Sequence, residues 1–290
     1  MTFIPDTTAD RPARKIVTVT RGEATSDGAG VRMTRLIGSS AQAPIDPFLM
    51  LDFFGSERAG DYIGGFPDHP HRGFETVTYM LAGRMRHWDN HGHSGLIEPG
   101  DVQWMKAGRG LIHSEMPEQD KGLMRGFQLW INLPAAEKMA PPAYQEFKAT
   151  EIPTEAREGA RVKIIAGTGV TGVEGPVRAP HVDAVYFDIE LAPGGVFRQP
   201  LPQDHAAFFV LYEGSASAPA GEGVQALEAL SLVTLGAGED AVLTAGPNGA
   251  RALLLAARPL REPVAWSGPF VMNTRAELMQ AYEDYRQGRF

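Results

Sequence analysis

Short apolar runs, each broken by glycine or proline, recur along most of the chain. FETVTYML at 74–81 mixes aromatic, β-branched and polar residues, and GFQLWINL at 126–133 alternates with Phe127, Leu129 and Ile131 on one side. AVYFDIEL at 184–191, AAFFVLYEG at 206–214, SLVTL at 231–235 and ARALLLAA at 250–257 continue the theme, though the last fits a helical period equally well. Turn signals such as LAPGG at 191–195 and GPNG at 246–249 separate the runs. The pattern predicts an all-β sandwich or barrel. Helical periodicity waits until the end, where Thr274 and Glu277 are spaced as a capping box and Leu278, Tyr282 and Tyr285 share a face. That spacing predicts a closing surface helix over 274–287.

A stretch rich in Pro, Ala and charge near 134–160 divides the strand pattern into two parts of ordinary domain size, 1–147 and 148–290. The chain of 290 residues is long enough for each part to bury a core. Its net charge of −8 argues against direct nucleic-acid binding, which needs clustered Lys and Arg, and leaves a protein partner open. No apolar run reaches the roughly 20 residues that span a bilayer. MTFIPDTTADRPARK at 1–15 lacks the apolar core of a secretion signal. These features predict a cytoplasmic protein without membrane association.

Cysteine is absent, so a bound metal must use nitrogen and oxygen ligands. Six of the eight histidines fall between 69 and 113. In His69-Pro-His71 the i, i+2 spacing on a strand sends both imidazoles to one face. His113-Ser-Glu115 repeats the spacing, and neighbouring strands would converge the four side chains on one point. Three imidazoles and a carboxylate suit Fe(II), Mn, Ni, Cu or Zn. His87, His91 and His93 sit in a Gly-containing turn, RHWDNHGHSG, where same-face geometry is lost; lining the approach to the metal fits them better than direct ligation. KAGRGLIH resembles a phosphate loop only superficially and reads as a tight turn feeding the His113 strand. Trp104, Trp130, Met105, Met116 and Met124 read as core or pocket wall. Lys106 and Arg109 are either solvated or placed at a pocket mouth, where they would attract an anionic substrate.

HPHRGFETVTYMLAGRMRHWDNHGHSG at 69–95 and PGDVQWMKAGRGLIHSEMP at 99–117 closely resemble the defining stretch of the pirin family. FLMLDFFG at 48–55 and RGFQLWINLP at 125–134 resemble its flanks. The resemblance implies two antiparallel jelly-roll (cupin) barrels packed face to face. It also implies one metal, most often iron, held in the N-terminal barrel by His69, His71, His113 and Glu115. Glu75 matches a common cupin ligand that pirins do not use, and is expected to orient a ligand or Arg72. With only His181 and His205, and no HxH or HxE, the C-terminal half is expected to be metal-free, giving one ion per chain.

Two functions follow from the resemblance. Bacterial pirins are associated with quercetin 2,3-dioxygenase chemistry, in which a metal-bound flavonol or other phenol is cleaved by O₂; Glu115 would then serve as ligand and general base. Eukaryotic pirins are regarded as iron-dependent regulators that bind protein partners. A monomer is the expected state, and the natural substrate is left open.

Overall fold

A computed structural model describes residues 11–290. Of the N-terminal segment read for a secretion signal, residues 1–10 lie outside that range. The described chain is almost wholly antiparallel strand, with one α-helix at Arg275–Arg286. It divides into two compact units that are not contiguous in sequence. One comprises 21–153, 176–183 and 258–290; the other comprises the segment up to 20, then 154–175 and 184–257.

The second of these units is built on a nine-stranded sheet whose long members are Ala206–Ala220 and Asp240–Ala257. The ambiguous run at 250–257 is strand. It pairs on one side with Val185–Leu191 and on the other with Ala206–Ala220, and its side chains are buried on both faces. A run apolar on both faces is how a doubly covered central strand reads in sequence. Phe187, Phe197, Phe209, Leu243 and Leu254 anchor its core.

The first unit contains every candidate metal ligand, and two of its sheets frame them. A seven-stranded sheet runs Ala143–Phe147, Val102–Lys106, Phe74–Ala82, Met124–Asn132, Phe48–Ser56, Val31–Ile37, Glu23–Asp27. A four-stranded sheet runs Phe66–His71, Leu111–Pro117, Met85–Asp89, Ser94–Ile97. Met33, Phe54, Met80, Met85, Ile97 and Met124 pack together as part of the apolar core. Trp104, Met105 and Met124 are buried as expected, whereas Met116 faces outward.

The predicted closing helix forms in the same unit. The Thr274 side chain accepts from the Glu277 N–H, and the Glu277 carboxylate accepts from the Thr274 N–H. Leu278 and Ala281 pack on Phe270 and Met272 of a small hairpin. Asp284 reaches the buried guanidinium of Arg72 at 2.6 Å, and Arg72 also donates to the Arg109 carbonyl and lies over the Phe290 ring. The residue beside ligand candidate His71 is thus clamped by the chain's last helix. Lys138, buried nearby, donates to the Gly73 and Val271 carbonyls and to Asn132.

Candidate metal centre

His69 and His71 lie on the Phe66–His71 strand, and His113 and Glu115 on its antiparallel neighbour Leu111–Pro117. Register places His113 directly opposite His69. One strand pair therefore brings the three histidines together, while an irregularity between His113 and Glu115 leaves the Glu115 carboxylate outside that close group. The donor atoms of His69, His71 and His113 lie within 4.8 Å of one another. His69 Nε2 and His113 Nε2 are 3.0 Å apart.

His69 Nδ1 lies 2.8 Å from the Pro67 carbonyl, which accepts its proton and leaves the Nε2 lone pair free. That lone pair faces the His113 nitrogen, an arrangement that calls for a proton or a cation between them. His71 and His113 are buried, and burial first, then the neighbouring imidazoles, holds both well below the usual histidine range. Neutral imidazoles are the form that binds metal. Phe74 and Trp130 pack edge-on to the His71 ring at 5.0 and 5.1 Å and fix its plane. The residues fit a first-row divalent ion.

Glu115 is buried beside the trio. Burial pushes its carboxyl up, opposed by His69 and by the Thr78 hydroxyl, which donates to Oε1 at 2.8 Å. A bound cation reverses that logic and favours the carboxylate. Thr78 belongs to a row that the sequence did not announce. Arg35 opposes Asp52, Asp52 opposes Gln128, Gln128 opposes Thr78, Thr78 opposes Gln103 and Gln103 opposes Glu146. One polar residue from each of six neighbouring strands therefore forms a continuous stripe on the seven-stranded sheet. Arg35 grips Asp52 through two bonds of 2.9 and 2.8 Å, Thr78 contacts Gln128 at 2.7 Å and Gln103 donates to Glu146 at 2.6 Å. Burial raises the Asp52 carboxyl, with the Arg35 contacts opposing.

His69, His71 and Glu115 line a cavity of about 610 Å³, within the range of small-molecule sites, and His113 lies behind His69. Met50, Gln128, Trp130 and Trp266 line it, with the Arg35–Asp52 pair at the end of the stripe. The cavity's cation is thus Arg35. Lys106 and Arg109, the two charges singled out from sequence, do not line it: Lys106 pairs with Glu137, and the Arg109 carbonyl receives Arg72.

Glu75 is buried and accepts from the Trp104 indole at 2.9 Å; it bonds neither Arg72 nor a ligand histidine. Burial carries its carboxyl to about 7. Gly108 and Gly110 take positive φ in the turn before His113, so KAGRG is structural as expected. Gly92 turns the hairpin between Met85–Asp89 and Ser94–Ile97. His87, however, is not a loop residue. It sits on the first of those strands, opposite Glu115, fully buried. His93 comes against it from the hairpin end at a ring separation of 5.1 Å. Trp88 alternates outward between buried His87 and Asp89, which is the strand signature that the glycines obscured.

An all-β chain of two cupin units, with three converging histidines and a glutamate in one of them, is a bicupin with a candidate metal centre. The family models for Pirin and for the Pirin C-terminal cupin domain match residues 30–131 and 186–290. The chain belongs to the pirin family. It is 55% identical over 280 residues to a pirin-like protein of Caulobacter vibrioides, covering 96% of this chain and all of that one. It is 42% identical to human pirin, covering 91% and 89% of the two chains. Among solved structures it resembles quercetin 2,3-dioxygenase from Acinetobacter baumannii, with TM-score 0.86, 33% identity and coverage of 96% and 98%. No helix among the described residues is long and apolar enough to cross a membrane.

Proposed function

We propose that this protein is a metal-dependent dioxygenase of the quercetin 2,3-dioxygenase type, with His69, His71, His113 and Glu115 holding the ion. The observation that carries the reading is the convergence of His69, His71 and His113 beside an aromatic-walled cavity that His69, His71 and Glu115 line. A divalent ion, Fe(II) first and Mn, Ni, Cu or Zn as alternatives, would acidify a substrate hydroxyl and supply the redox chemistry of O₂.

The chain's own residues do the rest. Trp130 and Trp266 offer flat apolar faces to a planar phenol. The Arg35–Asp52 pair and Gln128 offer a charged and a polar contact for ring hydroxyls at the opposite end of the stripe. Glu115 receives the substrate's hydroxyl proton. To do so Glu115 would loosen from the ion, and the Thr78 hydroxyl, which donates to Oε1, keeps the carboxylate in place with Oε2 as the atom available. The likeness to the Acinetobacter enzyme supports flavonols as the substrate class.

Oxygen uptake by anaerobically purified, Fe(II)-loaded protein on adding quercetin tests the reading. The expected result is uptake by the wild type that is lost in His69→Ala. Silence from the wild type loaded in turn with each of the five metals, with binding of each metal verified, would sink it and direct attention to metal-dependent binding of a protein partner.

A further inference from the structure

A second group of metal-type donors stands one strand away from the first. His87, His93 and Glu146 have donor atoms within 4.8 Å of one another, and among the described residues only these and the first trio form such a group. We infer that His87, His93 and Glu146 form a second divalent-cation site, with zinc the ion their donor set suits best.

The distances fit a shared ion. His93 Nε2 lies 3.1 Å from Glu146 Oε2, and His87 Nε2 lies 2.7 Å from Glu146 Oε1. Two donors each about 2.1 Å from one ion sit roughly 3.0–3.4 Å apart, so inward movement is not needed. Close approach alone would suit a hydrogen bond equally well, but His87 does not make one. The ring is fully buried; Nδ1 has no hydrogen-bond partner, and Nε2 has only the 2.7 Å charge contact with Glu146 Oε1, which falls short of a well-formed hydrogen bond. His93 Nε2 does meet Glu146 Oε2 in hydrogen-bond geometry, so the buried His87 ring is the member that lacks a well-formed partner. An imidazole left this way without a cation forfeits its hydrogen bonding in a dry interior.

Space is reserved at the same point. Gly95 is the cross-strand partner of His87, and a side chain there would begin 2.7 Å from His87 Nε2 and 3.5 Å from Glu146 Oε1. Supporting contacts hold each donor. Gln103 donates to Glu146 Oε1 at 2.6 Å. Asp89 Oδ1 accepts from the His91 and His93 N–H groups and its Oδ2 from the Tyr144 hydroxyl, which shapes the turn that presents His93. The Tyr144 ring stacks on His93 at 4.0 Å and on His87 at 5.8 Å. Such outer contacts are the ones that orient ligands at a metal site. His93 is about one-third exposed, which gives an ion a route in and a water a place as fourth ligand. Two imidazoles and one carboxylate with an open position match zinc better than magnesium or calcium, which prefer oxygen.

The site uses none of the four residues proposed for the dioxygenase centre, although His87 lies opposite Glu115, and a stoichiometry experiment separates the two. Metal-stripped full-length protein is titrated calorimetrically with zinc, alongside His69→Ala, His93→Ala, Gln103→Ala and the His69→Ala/His93→Ala double variant. Far-ultraviolet circular dichroism of each metal-free protein checks the fold; His93 is the ligand chosen because it sits at an exposed turn. The expected result is two equivalents for the wild type, one for each single histidine variant and none for the double. Gln103→Ala should keep two equivalents and weaken the His93-dependent one by about 10–100-fold. A wild type that binds one equivalent, lost in His69→Ala and unchanged in His93→Ala, overturns the second site and leaves the first intact. Retention of two equivalents in His93→Ala overturns it as well. A wild type that binds one equivalent, lost in His93→Ala and unchanged in His69→Ala, would instead count against the first centre and leave the second standing.

Discussion

At the scale of single residues, the buried carboxyl of Glu75 has the clearest thermodynamic consequence. Its folded-state value of about 7 exceeds the ordinary glutamate value, so the folded protein holds a proton that the unfolded chain releases near pH 4.5. Stability from this group is therefore full at acidic pH and declines as pH rises from about 4.5 to about 7. Glu75→Gln keeps an acceptor for the Trp104 indole and removes the decline. At pH 8 it should be more stable than the wild type by about 3 kcal/mol at most, and at pH 4.5 nearly equal to it. Urea midpoints at the two pH values check this. The grouping of His69, His71 and His113 was legible because i, i+2 spacing and strand pairing are both local and repetitive, while their assignment with Glu115 to a metal rests on the family resemblance. Arg35, Asp52, Thr78, Gln103 and Gln128 were not. Each is one polar residue among several on its strand, and only the register of six strands reveals that they share a row with Glu146. Their polarity at buried strand positions was the available signal.

At the scale of elements, the closing helix does more than cover a surface. Its Asp284 meets Arg72, and that contact, with help from Arg289 and Gln280, holds the Asp284 carboxyl well below the usual range. Folding stability from Asp284 is therefore present above the ordinary aspartate value and lost as pH falls below it. Asp284→Asn should cost about 2–3 kcal/mol at neutral pH by leaving the Arg72 guanidinium short of its charged partner. Since Arg72 follows His71, the variant should also weaken metal binding at the His69 centre. A denaturant titration and a metal titration read the two effects, and an unchanged midpoint would refute the first. The sequence foretold this helix and its cap from local spacing. The partner it finds, 212 residues upstream, had no sequence signature because a tertiary ion pair has no fixed spacing. The hairpin at 85–97 taught the opposite lesson. Its glycines read as a loop, yet Met85–Asp89 is a regular strand that buries His87 beneath Glu115.

At the scale of the whole molecule, metal should stabilise the unit that binds it and leave the other unit's strands largely as they were. At a free metal concentration 100 times the dissociation constant, linkage supplies about 2.7 kcal/mol to every opening that breaks the site. Amide exchange with and without metal is expected to slow in Phe66–His71 and Leu111–Pro117, and to change little in Val185–Leu191. Equal slowing throughout would show that the two units open together. The division into units has a further consequence, for synthesis on the ribosome. The metal-bearing unit is assembled from 21–153, 176–183 and 258–290, so most of the other unit is translated in the middle of it. A nascent chain can pair the His69 and His113 strands early, but Arg72 stays without its carboxylate until Asp284 has left the exit tunnel. The strand that carries His69 and His71 thus acquires this support only after the intervening segments of the other unit have been made.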